Sequence, residues 1–150
     1  MYSKLQASKL RQEFWTRFGQ YMRPVKGENG DPINWINYRT GVKGVYFRME
    51  VGTRAATIAI ELKDTDDEKR LENYNTLLQV KDLLEQETAE SWTWEERFPD
   101  ERGQMICRIG KTLEGINLFN EADWPAIISF LKPRIIALDR FWNFVKEGFE

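Results

Sequence analysis

The chain has 150 residues, of which 41% are hydrophobic and 31% are charged, and its formal net charge is −2. These values exclude an intrinsically disordered chain and predict a soluble protein in which residues 1–150 form one domain. The sequence has no histidine and one cysteine, Cys107, which excludes His-based catalytic triads, imidazole-bound zinc and an internal disulfide. No run approaches the roughly 18 apolar residues of a membrane span, and the N-terminus lacks an apolar signal-peptide core, so we expect a cytoplasmic protein with no membrane partner.

The first predicted element is an amphipathic helix from about Ser3 to Met22. Apolar side chains recur every fourth residue from Leu10 onwards, which places them on one face of a helix. Pro24 and the glycines of KGENGDP end this helix. A stretch rich in asparagine and glycine, INWINYRTGVKG, then leads into two alternating runs.

These two runs, GVYFRMEVG and AATIAIELK, predict a β-hairpin with a tight turn at residues 53 and 54. A register that pairs Val51 with Ala56 and Val45 with Leu62 sets apolar residues against apolar partners on one buried face. Thr-Arg is not a favoured turn pair, so a longer loop with the same pairing stays open. The opposite face then carries mostly charged side chains, namely Tyr46, Arg48, Glu50, Glu61 and Lys63.

One pattern on that charged face resembles a nuclease site. Glu50 followed by Glu61-x-Lys63 is similar to the acid, then acid-x-lysine order of restriction-endonuclease-like enzymes, in which two carboxylates hold a divalent metal ion. In the register above Glu50 faces Thr57, four residues or roughly 13 Å of strand away from Glu61. Two acids that far apart cannot share one ion. We therefore predict no catalytic or metal-binding residues, with a magnesium-dependent nuclease that uses Glu61, Lys63 and Asp64 as the alternative.

The second half of the chain predicts a helix, a second hairpin and a last helix. A capping box at residues 65–68 begins a helix that is expected to run to about Thr88. The alternating segments SWTWEER and MICRIGKTL predict two strands, joined by the loop FPDERG. The complete order of helix, hairpin, helix, hairpin, helix predicts an α+β fold, with three helices over one face of an antiparallel sheet built from two β-hairpins.

The C-terminal helix has the strongest periodicity in the chain. Apolar residues from Trp124 to Phe149 are spaced alternately by four and three positions, and Pro133 is expected to kink or split the helix. Additional aromatic residues widen the apolar surface beyond a narrow seam. These predict either that the helix packs across the sheet of its own domain or that it forms a homodimer contact.

Positive charge is concentrated in the first third of the chain. Up to Arg48 there are nine basic and three acidic residues, whereas from Asp64 to Glu90 there are nine acidic and three basic ones. This asymmetry predicts a face for a polyanion, or charge complementarity within or between chains. Basic and aromatic residues of the loop-rich stretch are candidates for binding single-stranded nucleic acid, although the aromatic ones also suit the edge of a core. These candidates are Trp35, Tyr38, Arg39, Lys43 and Arg48.

The chain resembles the bacterial family called domain of unknown function 4268. The resemblance lies in LRQEFWTRFGQYM, GVYFRMEVG with IAIEL, WTWEER and DWPAIISFLKPRIIALDRFW, which together span nearly the whole chain. It brings no set of catalytic residues. In related bacterial proteins a similar domain forms the C-terminal part of longer chains whose N-terminal part resembles an endonuclease, so the resemblance implies DNA-related biology.

Together, the residues and the resemblance predict a non-catalytic interaction module that works with nucleic acid or with a DNA-processing partner. A metal-dependent nuclease, or an inactive relic of one, is the first alternative. A purely structural, protein-binding homodimer that associates through the C-terminal helix is the second. No cofactor is expected, except magnesium under the nuclease alternative.

Overall fold

The secondary-structure elements follow one another as predicted, with one additional helix. The structure, a computed structural model, describes residues 3–149. In this part of the chain four α-helices accompany one four-stranded antiparallel sheet, which confirms the α+β class. The elements are α1 (Lys4–Met22), β1 (Val45–Val51), β2 (Ala55–Leu62), α2 (Asp67–Gln79), α3 (Lys81–Thr88), β3 (Thr93–Pro99), β4 (Met105–Glu114) and α4 (Trp124–Val145).

The prediction of three helices is wrong, because the predicted second helix is two helices. The backbone leaves the helical conformation at Val80, where φ is −114° and ψ is 19°. The amide of Val80 closes the end of α2 by donating to the carbonyls of Leu77 and Leu78. This break redirects the chain, so that α2 packs on the sheet while α3 packs along α4 and buries Leu84.

The first hairpin has the predicted register. Val45 lies opposite Leu62 and Val51 lies opposite Ala56. The turn is the tight one, since the amide of Gly52 donates to the carbonyl of Ala55 at 2.9 Å. The strand order is β1-β2-β4-β3, so the two hairpins meet at β2 and β4, and β1 is an edge strand.

One face of the sheet forms the hydrophobic core with the helices. α2 and α4 pack against it, and Phe14 of α1 meets Trp124 edge to face with ring centroids 5.5 Å apart. α4 is a single helix that runs through Pro133, so of the two outcomes predicted for this proline, a kink or a split, the split does not occur. The missing amide is tolerated because the turns on either side are held by buried residues such as Leu131 and Ile135. No helix within residues 3–149 is both long enough and apolar enough to cross a membrane.

The second hairpin curls over the other face of the sheet. The register between β3 and β4 shifts between Glu95 and Phe98, so that two residues of β3 face one residue of β4. Such a bulge bends a strand and increases its twist. Glu101, in the loop between β3 and β4, consequently reaches Arg48 of β1 with a hydrogen bond of 3.3 Å, although these strands are the two edges of the sheet. The uncovered face is therefore concave.

A candidate binding groove beside the edge of the sheet

A groove of about 750 Å³ lies along the free edge of β1, and we call it the edge groove. One wall comes from α1, another from the segment that precedes β1, and the floor from β1 itself. Its lining consists of Arg11 and Trp15, residues 36–39, residues 46–51, and Glu61, Lys63 and Glu101. Three elements that are distant in sequence therefore meet at one place.

Alternate residues of β1 turn their backbone groups toward this groove. In an antiparallel hairpin, pairs that exchange hydrogen bonds alternate with pairs that do not. Because Gly52 bonds to Ala55 across the turn, the odd-numbered residues of β1, 45–51, direct their N–H and C=O groups away from β2. These groups form the free edge of the sheet.

Side chains satisfy this free edge at its two ends. At one end the Thr40 hydroxyl donates to the carbonyl of Val45 at 2.7 Å. At the other end the Arg11 guanidinium donates to the carbonyl of Val51 at 2.8 Å. Both contacts replace bonds that a neighbouring strand would otherwise make.

The middle of the free edge is open. The outward N–H and C=O groups of Phe47 and Met49 have no hydrogen-bond partner among residues 3–149. A row of unpaired backbone groups on an edge strand is a template for pairing with another extended chain. The edge groove therefore offers main-chain donors and acceptors as well as side chains.

A buried carboxylate, Asp139 of α4, holds the wall formed by the segment before β1. Asp139 is 2% exposed and accepts hydrogen bonds from the Tyr38 hydroxyl at 2.5 Å, the Glu28 amide at 2.8 Å and Asn143 Nδ2 at 3.1 Å. Burial and then the neighbouring Asp139 raise the pKa of Tyr38, so its phenol stays protonated and donates. The Tyr38 ring in turn stacks on Phe47 with centroids 4.9 Å apart. Asp139 thus positions an aromatic wall over β1.

A second buried carboxylate, Glu61, lies at the inner end of the groove. Glu61 is 7% exposed, and three cations surround its carboxylate: Lys63 Nζ at 3.5 Å, an Arg48 nitrogen at 3.9 Å and Arg108 Nε at 4.0 Å. Its Oε1 atom is buried and accepts no hydrogen bond within the described part of the chain. The ion pairs are therefore loose, and they compensate charge without fixing geometry.

Arg48 is the centre of this charged network. It contacts Glu50 at 2.5 Å and Glu101 at 3.3 Å in addition to Glu61. Burial alone would lower the pKa of Arg48, but the three carboxylates outweigh burial and raise it. The positive charge of Arg48 is thus already balanced by the protein's own acids.

The candidate nucleic-acid-binding residues do not all come together. Tyr38, Arg39 and Arg48 line the edge groove, whereas Lys43 is exposed outside its lining. Trp35 is buried and donates its indole N–H to a backbone carbonyl at 2.9 Å, as a residue at the edge of a core does. Arg39 is exposed, and its side chain makes no hydrogen bond or ion pair with any residue in the range 3–149.

The residues of the nuclease alternative are held by other contacts. Glu50 lies opposite Thr57, as the register predicted, and both Glu50 and Glu61 face Arg48. Asp64 accepts a hydrogen bond from the Asp66 amide at 3.0 Å, in the turn that begins α2. Over residues 3–149 no three acidic or cysteine side chains are grouped closely enough to hold a metal ion.

Several residues that build the groove were missed at the level of sequence. The sequence predicts Trp15 only as part of the apolar face of its helix. Nothing in the sequence around Arg11 indicates that its side chain contacts the edge of a strand. The position of Asp139 does indicate a structural role in the sequence. It is an acidic residue four positions after Ile135 and three before Trp142, on the apolar face of its helix. An acid on a buried arc needs hydrogen-bond donors nearby.

Comparison with known proteins gives a family and no activity. Residues 10–146 match the family described as domain of unknown function (DUF4268), so the chain belongs to this family and the resemblance is confirmed. No curated protein and no solved structure matches the chain. The geometry of the groove therefore has to carry the functional argument.

Proposed function

We propose that this member of the DUF4268 family is a non-catalytic interaction module whose edge groove binds an extended segment of a partner protein, such as a DNA-processing protein. The observation that carries this proposal is the edge groove itself, which combines an open strand edge with apolar and charged walls. The wall residue Tyr38 is fixed by Asp139 rather than left free, which favours a pre-formed site.

The charge of the groove favours a protein segment over nucleic acid. A polyanion site needs uncompensated positive charge along the path of the phosphates. Here the lining carries four basic and three acidic side chains, a net of one positive charge. They are Arg11, Arg39, Arg48 and Lys63, against Glu50, Glu61 and Glu101.

Single-stranded nucleic acid is the second candidate. It is favoured by Arg39 and Lys43, two exposed cations for which no partner exists among residues 3–149, and by the exposed ring of Tyr46. A ligand that bound across this surface would contact both cations, although only Arg39 lines the groove. The two residues therefore form a matched pair for a test.

The contacts that Glu61 and Asp64 make argue against the nuclease alternative. A metal ligand must turn its oxygens toward the ion. Glu61 instead faces three cations, and Asp64 caps a turn. We accordingly propose binding without catalysis.

The exposed apolar surface of α4 is small for a homodimer contact. The aromatic residues Phe130 and Phe141 of this helix are buried within their own chain, while Phe144 is 65% exposed. A stable dimer buries about 800 Å² on each partner, which a single phenylalanine does not supply. Light scattering on the purified chain tests this contact: a dimer that Phe144→Ser dissociates would establish it.

The proposed function is tested by selecting ligands from a random dodecapeptide phage library on the immobilised domain. Enriched peptides are then labelled with fluorescein and titrated by anisotropy against the wild type, Arg39→Ala and Lys43→Ala. We expect Arg39→Ala to weaken binding about tenfold, because one charge-assisted contact is worth roughly 1.4 kcal/mol. Lys43→Ala, the control of equal charge outside the groove, is expected to bind as the wild type does.

An oligonucleotide of about 15 thymidines, titrated at about 50 mM and 200 mM salt, separates the second candidate. We expect weak binding to this probe. Tight binding that falls steeply with salt, and that both Arg39→Ala and Lys43→Ala weaken, would assign the surface to nucleic acid instead. The absence of any peptide whose affinity depends on Arg39 would also overturn the proposal.

A further inference from the structure

We infer that the edge groove receives its ligand as a fifth β-strand, which pairs with the open part of β1 and alternates apolar with acidic residues. This inference rests on the proposed function and adds the mode of binding and the sequence class of the ligand. It depends on three features of the groove: its backbone groups, its walls and its two-sided lining.

The backbone groups provide the pairing. Phe47 and Met49 together present two N–H donors and two C=O acceptors to the groove, and none has a hydrogen-bond partner among residues 3–149. They lie between Val45 and Val51, whose carbonyls are occupied by Thr40 and Arg11. An extended peptide that adds to such an edge gains main-chain hydrogen bonds whatever its side chains are.

The walls of the groove favour one added strand over a second copy of the chain. The two walls touch each other, because Ile36 lies so close to α1 that a Cβ atom at Gly19 would be 3.5 Å from Ile36 Cδ1. A second copy of the chain would bring its own α1 and its own residues 36–39 along with its β1. Edge-to-edge pairing of two β1 strands would press these walls together, whereas one extended segment avoids them.

The lining predicts alternation in the ligand. An added strand directs successive side chains to opposite sides of the sheet. On the core side it meets the apolar groups of Trp15, Ile36 and Met49. On the other side it meets the polar face that carries Arg48 and Glu50. Apolar residues are therefore expected at every second position.

The remaining positions are expected to be acidic because of how charge is paired in the groove. Arg48 already binds Glu50 and Glu101. Arg39, by contrast, has no charged partner within residues 3–149, and the lining as a whole has one excess positive charge. A carboxylate on the ligand could therefore pair with the guanidinium of Arg39, whereas a lysine on the ligand would be repelled by the net positive charge of the lining.

The test is an NMR titration of the ¹⁵N-labelled full chain with a blocked octapeptide of alternating valine and aspartate. We expect the amide signals of Phe47 and Met49 to shift, since these N–H groups face the groove. The amides of Tyr46 and Arg48, which bond to β2, are expected to shift less. Shifts confined to other surfaces, or no shift at all, would overturn the inference.

Two N-methylated octapeptides separate strand pairing from side-chain contact. One carries N-methyl groups on its valines and the other on its aspartates, so each loses the amide donors of one edge only. We expect one of them to lose at least about tenfold in affinity while the other binds as the parent does, because only one edge of an added strand faces β1. If the two methylated peptides bind the domain equally well, strand pairing is contradicted. The alternation has its own control, an octapeptide of four valines followed by four aspartates. If this peptide binds as well as the parent, alternation is contradicted.

A substitution in β1 tests the same hydrogen bonds by changing the protein instead of the peptide. Met49→Pro removes an outward N–H without removing a bond to β2, whereas Met49→Val keeps that N–H as the matched control. We expect Met49→Pro to lose octapeptide binding far beyond any change in Met49→Val, which alters the side chain in the groove but keeps the N–H. Equal binding by the two variants would overturn the inference. If the proline variant does not fold, the methylated pair decides the question.

The outcomes distinguish the two proposals. If library peptides bind in an Arg39-dependent way but the octapeptide does not, the strand mode fails and the proposed function stands. If neither binds, both fail. If the thymidine oligonucleotide displaces the octapeptide and shifts the Phe47 and Met49 amides more strongly, the groove is a nucleic-acid site and the inference is overturned.

Discussion

Asp139 and Glu61 are both buried carboxylates, yet their surroundings have little in common. Asp139 accepts three hydrogen bonds from uncharged donors at 2.5–3.1 Å. Glu61 lies among three cations at 3.5–4.0 Å, and its Oε1 accepts no hydrogen bond within the described residues. Directed hydrogen bonds hold partners at fixed positions, while loose ion pairs mainly balance charge.

The difference assigns the two acids different parts in the groove. Asp139 lies beneath the wall and determines where Tyr38 stands, so it acts on the shape of the groove. Glu61 lies in the lining and lowers the positive charge there, so it acts on the charge of the groove. Four substitutions test this division.

Asp139→Ala is expected to have the largest effect, lowering the free energy of unfolding by about 3 kcal/mol, because it leaves the partly buried Tyr38 hydroxyl and the Glu28 amide without their acceptor. Urea denaturation measures this loss. Asp139→Asn retains one acceptor oxygen and should lose less. A loss below about 1 kcal/mol for the alanine variant would show that the carboxylate is not an anchor.

Tyr38→Phe removes one of these bonds, and we expect a loss of about 2 kcal/mol, the usual worth of a hydrogen bond to a charged group. The pKa of Tyr38 is raised in the folded state above 10.0, its value in the unfolded chain. The resulting stability is present below pH 10 and is lost as pH rises above it, because the unfolded phenol ionises first. The variant should therefore lose less stability than the wild type between about pH 9 and pH 11.

The exposed Tyr21 provides the control for the alkaline experiment, since its hydroxyl has no hydrogen-bond partner within residues 3–149 and Tyr21→Phe removes no such bond. Urea denaturation of the three proteins at each pH gives the comparison. Parallel pH curves for the wild type and Tyr38→Phe would contradict a neutral phenol bound to Asp139.

Glu61→Gln is expected to change stability by less than about 1 kcal/mol, because the surrounding cations are partly exposed and loosely paired. It also removes one negative charge, which raises the net charge of the groove lining by one unit. Affinity for the thymidine oligonucleotide should rise and affinity for acidic peptides should not fall. A magnesium-dependent cleavage activity that this substitution abolishes would instead support the nuclease alternative.

Glu101→Gln is expected to have the smallest effect, within about 0.5 kcal/mol, because this side chain is 66% exposed and makes one contact with Arg48. Thermal unfolding in low salt is the measurement. A loss comparable to that of Asp139→Ala would mean that the curled hairpin, rather than the buried acid, supports the groove.

The first hairpin could be predicted because two alternating runs specify a register that sets Val45 and Val51 against apolar partners on one face of the sheet. The break at Val80 could not, since neither glycine nor proline marks it and the apolar spacing continues from Leu77 to Leu84. After this break α3 packs along α4, a contact between distant elements that the spacing of apolar residues does not show. The bulge between Glu95 and Phe98 likewise depends on how the curled hairpin fits the sheet.

The candidate site was predictable only in part, for a similar reason. Tyr38, Arg39 and Arg48 stood out because basic and aromatic residues near a strand indicate binding. The open edge between them depends on strand order, which the two hairpins alone leave undecided. Arg11 joins the groove through a bond to the carbonyl of Val51, forty residues along the chain, and its own sequence surroundings do not indicate that contact.

The anchor at Asp139 also bears on how freely the segment before β1 can evolve. One of its bonds comes from the backbone amide of Glu28, which almost any residue except proline would supply equally well. Only Tyr38 contributes its own side chain to Asp139 from this segment. Exposed positions between them, such as Ile36 and Asn37 of the groove wall, can therefore change while the same support is kept.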